Sequence, residues 1–258
     1  MITVIDLNAD MGEGFGPWQM GDDIGLLDLV SSANIACGFH AGDPDVMART
    51  MQAALACGVG LGAHPGFADL QGFGRREMHL SAQSLANLVA YQTGAAQAMA
   101  RASGGRLRHL KLHGALANMA ARDREMALTC YRAALTAVPE LIIMAMAGTA
   151  QEEALRTLGC AAALEIFADR AYLPDGGLMP RSEPDAVLHD PEKIADRVLQ
   201  MLQEEAIIAV DGSRRPARID TICLHGDTPS AVRAAEVLRA RLETAGIAIE
   251  PFEGRPVS

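Results

Sequence analysis

The chain is poor in aromatic residues and in lysine. Phe, Trp and Tyr make up 4% of its 258 residues, so the interior must be aliphatic, with 13 methionines to fill irregular gaps. Only two lysines, Lys111 and Lys193, stand among the 22 basic residues, and arginine is the default cation. Positive charge is short overall: the net charge is −10 and no basic cluster interleaves with aromatics. That argues against nucleic acid or an anionic membrane as the main partner. The longest apolar run, residues 141–148, is too short to span a bilayer. Residues 1–12 carry Asp6 and Asp10, with no basic start and no apolar stretch, so no signal peptide is expected. The five cysteines contain no CxxC pair and each sits in apolar surroundings. Buried free thiols in a reducing cytoplasm are therefore expected. No GxxxxGK[ST] phosphate loop, no GxGxxG between a strand and a helix and no GxSxG elbow occurs.

Half of the residues are hydrophobic. A chain of this length and composition can bury one large α/β core, and a single domain over residues 1–258 is expected. Its organising stretch is residues 34–43, Asn-Ile-Ala-Cys-Gly-Phe-His-Ala-Gly-Asp, followed by Pro44. An apolar run ends in small residues, then in His40 and Asp43, and a helical pattern begins. This predicts a strand, a tight polar turn and a helix capped by Asp43 with proline in its first turn.

The same grammar recurs. Strands are predicted at 2–8, in the apolar run that opens residues 34–43, and at 59–63, 107–112, 141–146, 162–167 and 221–224. Helices are predicted to start at Asp22, Asp43, Ser81, Asp123, Thr149, Asp190 and Thr228, with a small hairpin around Asp211-Gly212. Strands alternating with helices imply parallel pairing. A barrel or a doubly wound sheet fits. The barrel is favoured because nearly every strand delivers polar residues at its C-terminal end, and a barrel gathers those ends into one ring.

The strand ends supply the candidate chemistry: Asp6, Asn8 and Asp10; His40 and Asp43; His64; Lys111 and His113; Glu165, Asp169 and Arg170; His225 and Asp227. Any one histidine alone is best read as structural. Four of the seven histidines at strand ends make an active site the better reading of the group. Asp43 and Asp190 precede proline and read as helix caps. Arg75 and Arg76, in a glycine-rich loop, are either solvated charges or binding residues. Lys111 carries more weight: alternation places it on the side of His109 and His113, in a strand expected to be buried on both faces. Paired carboxylates with lysine and histidine suit hydrolysis of a carbonyl compound by general acid–base catalysis.

Five motifs bear a family resemblance. They are residues 6–13 (Asp-Leu-Asn-Ala-Asp-Met-Gly-Glu), 34–43, 111–116 (Lys-Leu-His-Gly-Ala-Leu), 165–172 (Glu-Ile-Phe-Ala-Asp-Arg-Ala-Tyr) and 223–229 (Cys-Leu-His-Gly-Asp-Thr-Pro). In order and without a large insertion, they resemble the LamB/YcsF family from residue 3 to about residue 251. Leu112 and Ala117 stand where the family pattern has proline and tyrosine, while Lys111, His113 and Asn118 are kept.

The resemblance implies a distorted seven-stranded β/α barrel similar to polysaccharide deacetylases. It implies a 5-oxoprolinase activity, the ATP-dependent opening of 5-oxo-L-proline (pyroglutamate) to L-glutamate. ATP would be a co-substrate with Mg, and two partner subunits, B and C, would complete the enzyme. Under this reading Asp10, Lys111, His113, Glu165 and Asp227 are catalytic, with Asp10 or Asp227 as base. Asn8, His40, His64, Arg170, Arg181 and His225 bind substrate. Lys111 and Arg170 hold anions, and His113 or His225 donates a proton. Two other readings stay open. One is a metal-dependent deacetylase with Asp10, His40 and His64 as ligands. The other is a non-catalytic subunit that binds the lactam. No compact histidine motif is present, so no tightly bound metal is expected.

Overall fold

In a computed structural model, residues 2–224 and 231–257 are described. They form a closed barrel of seven parallel strands wrapped by helices. In chain order the barrel strands are β1 (Val4–Met11), β2 (Ser32–Ala36), β3 (Gly60–His64), β4 (Leu107–Lys111), β5 (Ile142–Met146), β6 (Ala162–Phe167) and β9 (Thr221–Leu224). Each pairs in parallel with the next, and β9 returns to β1 with Asp6 opposite Thr221. A hairpin, β7 (Ala206–Ile208) and β8 (Arg214–Pro216), stands apart, and β10 (Ala248–Ile249) lies against the start of β1.

The helices are α1 (Asp23–Leu27), α2 (Pro44–Ala56), α3 (Ala82–Ala102), α4 (Gly114–Ala120), α5 (Arg124–Ala137), α6 (Ala150–Leu158), α7 (Pro191–Glu204) and α8 (Ala231–Thr244). Their starts follow the sequence signals. Side chains of Asp22, Asp43, Ser81, Asp123, Thr149 and Asp190 accept first-turn N–H groups, and Pro44 and Pro191 occupy the first turns. Gly159 closes α6 in the left-handed region that glycine tolerates. The start foreseen at Thr228 lies outside the described residues.

Three local expectations need correction. β1 runs on to Met11 where a loop after residue 8 is expected, because polar Asn8 and Asp10 face a polar barrel interior. Helix α4 is not foreseen: it is short, opens on a glycine and follows His113 directly. Cys57 is exposed and Cys160 half-buried, since they stand at helix ends, while Cys37, Cys130 and Cys223 are buried; all five are free.

The barrel interior holds a hydrogen-bonded column in place of an all-apolar core. Alternation on β1 turns Asp6, Asn8 and Asp10 inward. At the base, Asp6 accepts from Ser31 and Ser32 at 2.7 Å each, and from Thr221. Asn8 donates to Thr221 Oγ1 and accepts from Asn34, both at 2.7 Å. His109 Nε2 donates to Asn34 Oδ1 at 2.8 Å. Burial holds the His109 imidazole neutral, with its pKa pushed down to about 3. That ring lies over Gly62, where β3 and β4 slip in register. A Cβ on Gly62 would fall inside the imidazole, at 2.1 Å from Nε2.

Two outcomes follow. Gly62→Ala should destabilise the fold by about 1–3 kcal/mol or more, the cost of overpacking a close-packed interior. An unchanged urea midpoint would show that His109 moves aside freely. The second concerns Asp6. Burial raises its pKa from 3.8 to about 6, against the hydroxyl bonds and Arg108 that favour the charge. Between those values the folded state binds more protons than the unfolded chain, so stability falls as pH rises through the window. Relative to Asp6→Asn, the wild type should lose about 2 kcal/mol between pH 4 and pH 6. Parallel stability profiles from urea unfolding at several pH values would contradict this.

Candidate active site

Four strands and two connections place the polar side chains around the C-terminal mouth. Asp10 lies near the end of β1, His64 and Lys111 end β3 and β4, and Glu165 lies on β6. His40 follows β2, and His113 follows β4 as the residue before α4.

Lys111 sits at the centre, 5% exposed. Its Nζ is 2.8 Å from Glu165 Oε1 and 3.1 Å from Asp10 Oδ1. It also lies 3.3 Å from Asn8 Oδ1, 3.0 Å from Cys223 Sγ and 5.2 Å from the Phe167 ring centre. Burial works against the ammonium charge, but the Asp10 and Glu165 carboxylates outweigh it and hold the Lys111 pKa well above its usual value. Burial pushes the Cys223 thiol well up, with Lys111 pulling against it, so a thiol rather than a thiolate faces the lysine at neutral pH. Asp10 is shared: Oδ1 also accepts from Asn34 Nδ2 at 2.9 Å, and Oδ2 lies 3.3 Å from His64 Nε2.

Beside this group lie three histidines and Glu13. His64 and His113 meet at right angles, with Nε2 and Nδ1 3.1 Å apart. The His40 ring stacks on His113 with centroids 3.6 Å apart. Glu13 Oε1 is 3.4 Å from His40 Nε2 and 3.7 Å from His113 Nδ1. Glu13 reaches this place because Gly12, at φ +68°, turns the chain back over the mouth at the end of β1. Burial first, then His113 and His64, hold the His40 pKa well below the usual value. Burial and His64 pull His113 down to about 3.

Asp10, His40, His64, Lys111, His113 and Glu165 are thus brought together. Asn8 lies one layer lower, fully buried, beneath Lys111. Arg170 donates to the carbonyls of Met179, at 2.6 Å, and Ala186, at 3.4 Å, so it holds the loop after β6. Burial, with Arg181 next, lowers its pKa to about 10. Arg181 is exposed on that loop. Arg76 is tied to Asp69, and Arg75 lies over the Phe73 ring at 4.8 Å. Asp43 caps α2 as expected and also accepts from Gly16 N at 2.6 Å. His225 and Asp227 lie outside the described residues. Sequence reasoning does not single out Glu13, Asn34 or Cys223 as site residues. For Glu13 the available signal is an acidic residue between two glycines directly after a strand; for Cys223 it is inward alternation with Thr221.

Comparison with known proteins gives a consistent result. The profile of the LamB/YcsF family matches residues 5–256. A Ruegeria pomeroyi protein named as the A subunit of 5-oxoprolinase is 59% identical over 252 residues, covering 98% of this chain and all of that one. An Azorhizobium caulinodans protein of the same name is 51% identical over 248 residues, 96% of this chain and 98% of that one. The crystal structure of the lactam utilization protein from Thermus thermophilus superposes with a TM-score of 0.90 at 45% identity, covering 96% of this chain and all of that one. A polysaccharide deacetylase from Bacillus cereus is among the more distant structural neighbours. On the profile, the identities and the shared barrel, this chain belongs to the LamB/YcsF family.

Proposed function

We propose that this chain is the A subunit of a cytoplasmic, ATP-dependent 5-oxoprolinase. It opens 5-oxo-L-proline to L-glutamate with Mg-ATP as co-substrate and with partner subunits B and C. The observation that carries this reading is the buried Lys111 cation, flanked by Asp10 and Glu165 at the barrel mouth, in a chain 59% identical to a protein named for that activity. Free thiols suit a reducing compartment. Among the described residues no helix is long and apolar enough to cross a membrane.

The chemistry asks for what the mouth offers. A five-membered lactam is a stabilised amide and a poor electrophile. Transfer of the γ-phosphoryl group of ATP to the lactam oxygen forms an O–P bond, releases ADP and makes the ring carbon electrophilic. One water then adds to that carbon; the C–N bond breaks, the nitrogen takes a proton, and an acyl phosphate is left. A second water converts it to carboxylate and phosphate. In this scheme Lys111 faces the oxygen on which negative charge builds, and Asp10 takes the proton of the attacking water. Glu165 and Asn8 fix Lys111, while His40 and His64 border the substrate. Arg170 and Arg181, on the loop after β6, are the further cations available for the substrate carboxylate or phosphate. Asp227 and His225 remain the other base and donor named by the sequence.

A surface suits the partner subunits. The segment after Glu13 exposes Phe15, Trp18, Met20 and Ile24, with Trp18 and Ile24 each 70% exposed. Exposed apolar groups of this size in one segment mark contact surfaces.

Glutamate should form from 5-oxoproline and Mg-ATP when all three subunits are present. No glutamate from the complete set overturns the reading, and lactam binding without turnover would favour a carrier role. Lys111→Arg should lower kcat by roughly a hundredfold or more, because a wide planar guanidinium does not place one compact charge at the Nζ position. Circular dichroism serves as the fold control. A loss confined to KM would mean that Lys111 pairs with the substrate carboxylate. Full activity in both Lys111→Arg and Lys111→Ala would reduce the lysine to a structural charge.

A further inference from the structure

Two of the mouth histidines have one ring nitrogen fixed as a donor. His64 Nδ1 lies 2.8 Å from the Lys111 carbonyl oxygen, and His113 Nε2 lies 2.8 Å from the Phe73 carbonyl oxygen. A carbonyl only accepts, so both nitrogens carry hydrogen, and in a neutral ring the other nitrogen is a bare lone pair. Those bare nitrogens, His64 Nε2 and His113 Nδ1, face each other at 3.1 Å with no hydrogen to share. Carboxylate oxygens close around them: Asp10 Oδ2 is 3.3 Å from His64 Nε2, and Glu13 Oε1 is 3.7 Å from His113 Nδ1. The His64 and His113 side chains are 1% and 5% exposed, and those of Asp10 and Glu13 are 12% and 9%. Electron-rich atoms so placed, out of water, repel unless a positive charge lies among them.

A proton or a metal cation would meet that need. Histidines whose outer N–H is anchored on a backbone carbonyl are the usual way a protein aims an imidazole at a metal.

We propose that His64 Nε2, His113 Nδ1 and the Glu13 and Asp10 carboxylates form a binding site for a divalent transition-metal ion of the zinc type. Nitrogen with carboxylate oxygen is the donor set such ions accept. The rings of His64 and His113 stand at 88°, so their lone pairs can converge. Their 3.1 Å separation is close to the ~3.3 Å between two imidazole nitrogens on a tetrahedral zinc. His40 takes a different part. Its ring is within 7° of parallel to His113, so the two planes cannot point at one ion, and its Nε2 faces Glu13 Oε1 instead. His40 is a positioning residue for Glu13 and for the His113 ring. A metal there would supply a Lewis acid at the mouth. The sequence leads to the opposite expectation, no tightly bound metal, because the donors come from three separate segments. The site stands on ring geometry and does not depend on the lactam reading.

The test needs no turnover. Full-length untagged protein is stripped with EDTA, dialysed, and titrated with Zn2+ by calorimetry and with Co2+ by visible absorption. One equivalent should bind, Co2+ should give d–d bands that Zn2+ abolishes, and the melting temperature should rise with metal. His64→Ala, His113→Ala and Glu13→Gln should each weaken binding at least tenfold, the scale on which changes around a metal site act. His40→Ala should keep one equivalent but shift the Co2+ bands. Replacing the exposed His79 and His189 with alanine should change nothing. If an alanine variant fails to fold, Glu13→Gln at the rim and the metal-dependent melting shift of the wild type still decide. Absence of saturable binding up to roughly 100 μM metal overturns the proposal. So does binding that survives loss of His64 and His113, or that disappears with the two surface histidines.

Discussion

One ammonium group, on Lys111, sets the terms for the rest of the barrel. A buried lysine is tolerated only when its charge is met, and here Glu165 and Asp10 meet it from two other strands. Those carboxylates cannot do without the lysine either, since breaking such a pair leaves an uncompensated charge inside the protein. Four barrel strands thus become interdependent through a few ångströms of space: β1 with Asn8 and Asp10, β4 with Lys111, β6 with Glu165 and β9 with Cys223. The column below continues the same logic. Asn8, Asn34, His109, Thr221 and Asp6 hand hydrogen bonds downward, so the polar side chains of the interior are tied to one another. What this arrangement stabilises best is a unique register, because a slip of one residue would turn Asn8 and Asp10 to the apolar outer face.

The outer shell shows how the backbone serves that interior. Pairing of β9 with β1 closes seven strands, and β1 is long enough to pair with β2, β9 and β10 at different heights. Its extra length carries Asp10 to the mouth and lets Gly12 fold Glu13 back over it. On the opposite side, the register shift beside Gly62 makes room for the His109 ring, whose hydrogen bond to Asn34 turns the amide so that Nδ2 points at Asn8 and Asp10. The orientation of Asp10 is therefore fixed two residues deep in the barrel.

Much of this was legible in the sequence, for physical reasons. Caps act within a few residues of the helices they begin, so Asp43, Ser81, Asp123, Thr149 and Asp190 identify their helices directly. The strand-end rule works because a barrel sends all C-terminal ends to one rim, and it gathers Asp10, His64, Lys111 and His113 as candidates. Lys111 stands out because lysine is rare here and its strand is buried. The rule fails where polarity points inward. The end of β1 reads as a loop when polar residues are assumed to face water, and Cys223 reads as an inert apolar thiol when its neighbour across the barrel is unknown. Glu13 escapes because its place depends on one left-handed glycine. Asn8 and Arg170 are expected as contacts to substrate; their bonds in the structure hold Lys111 and the loop after β6. Sequence spacing gives the direction of a side chain, but not its depth in the barrel.

The Asp10 carboxylate joins the two halves of the mouth. Its Oδ1 accepts from Lys111 and Asn34, and its Oδ2 faces His64 Nε2. The oxygens of a carboxylate share one charge, so whatever draws electron density at one side weakens the other. A cation among the histidines would lower the basicity that Asp10 offers elsewhere, and loss of the Lys111 charge would raise it. Substitutions at Lys111 and His64 are therefore expected to be non-additive, since both act on the same anion from opposite sides. Assigning Asp10 a single role as base, ligand or ion-pair partner would miss this coupling. Its position lets the charge state of the histidine cluster set how strongly the lysine is held, within a network whose members are all fixed by the barrel.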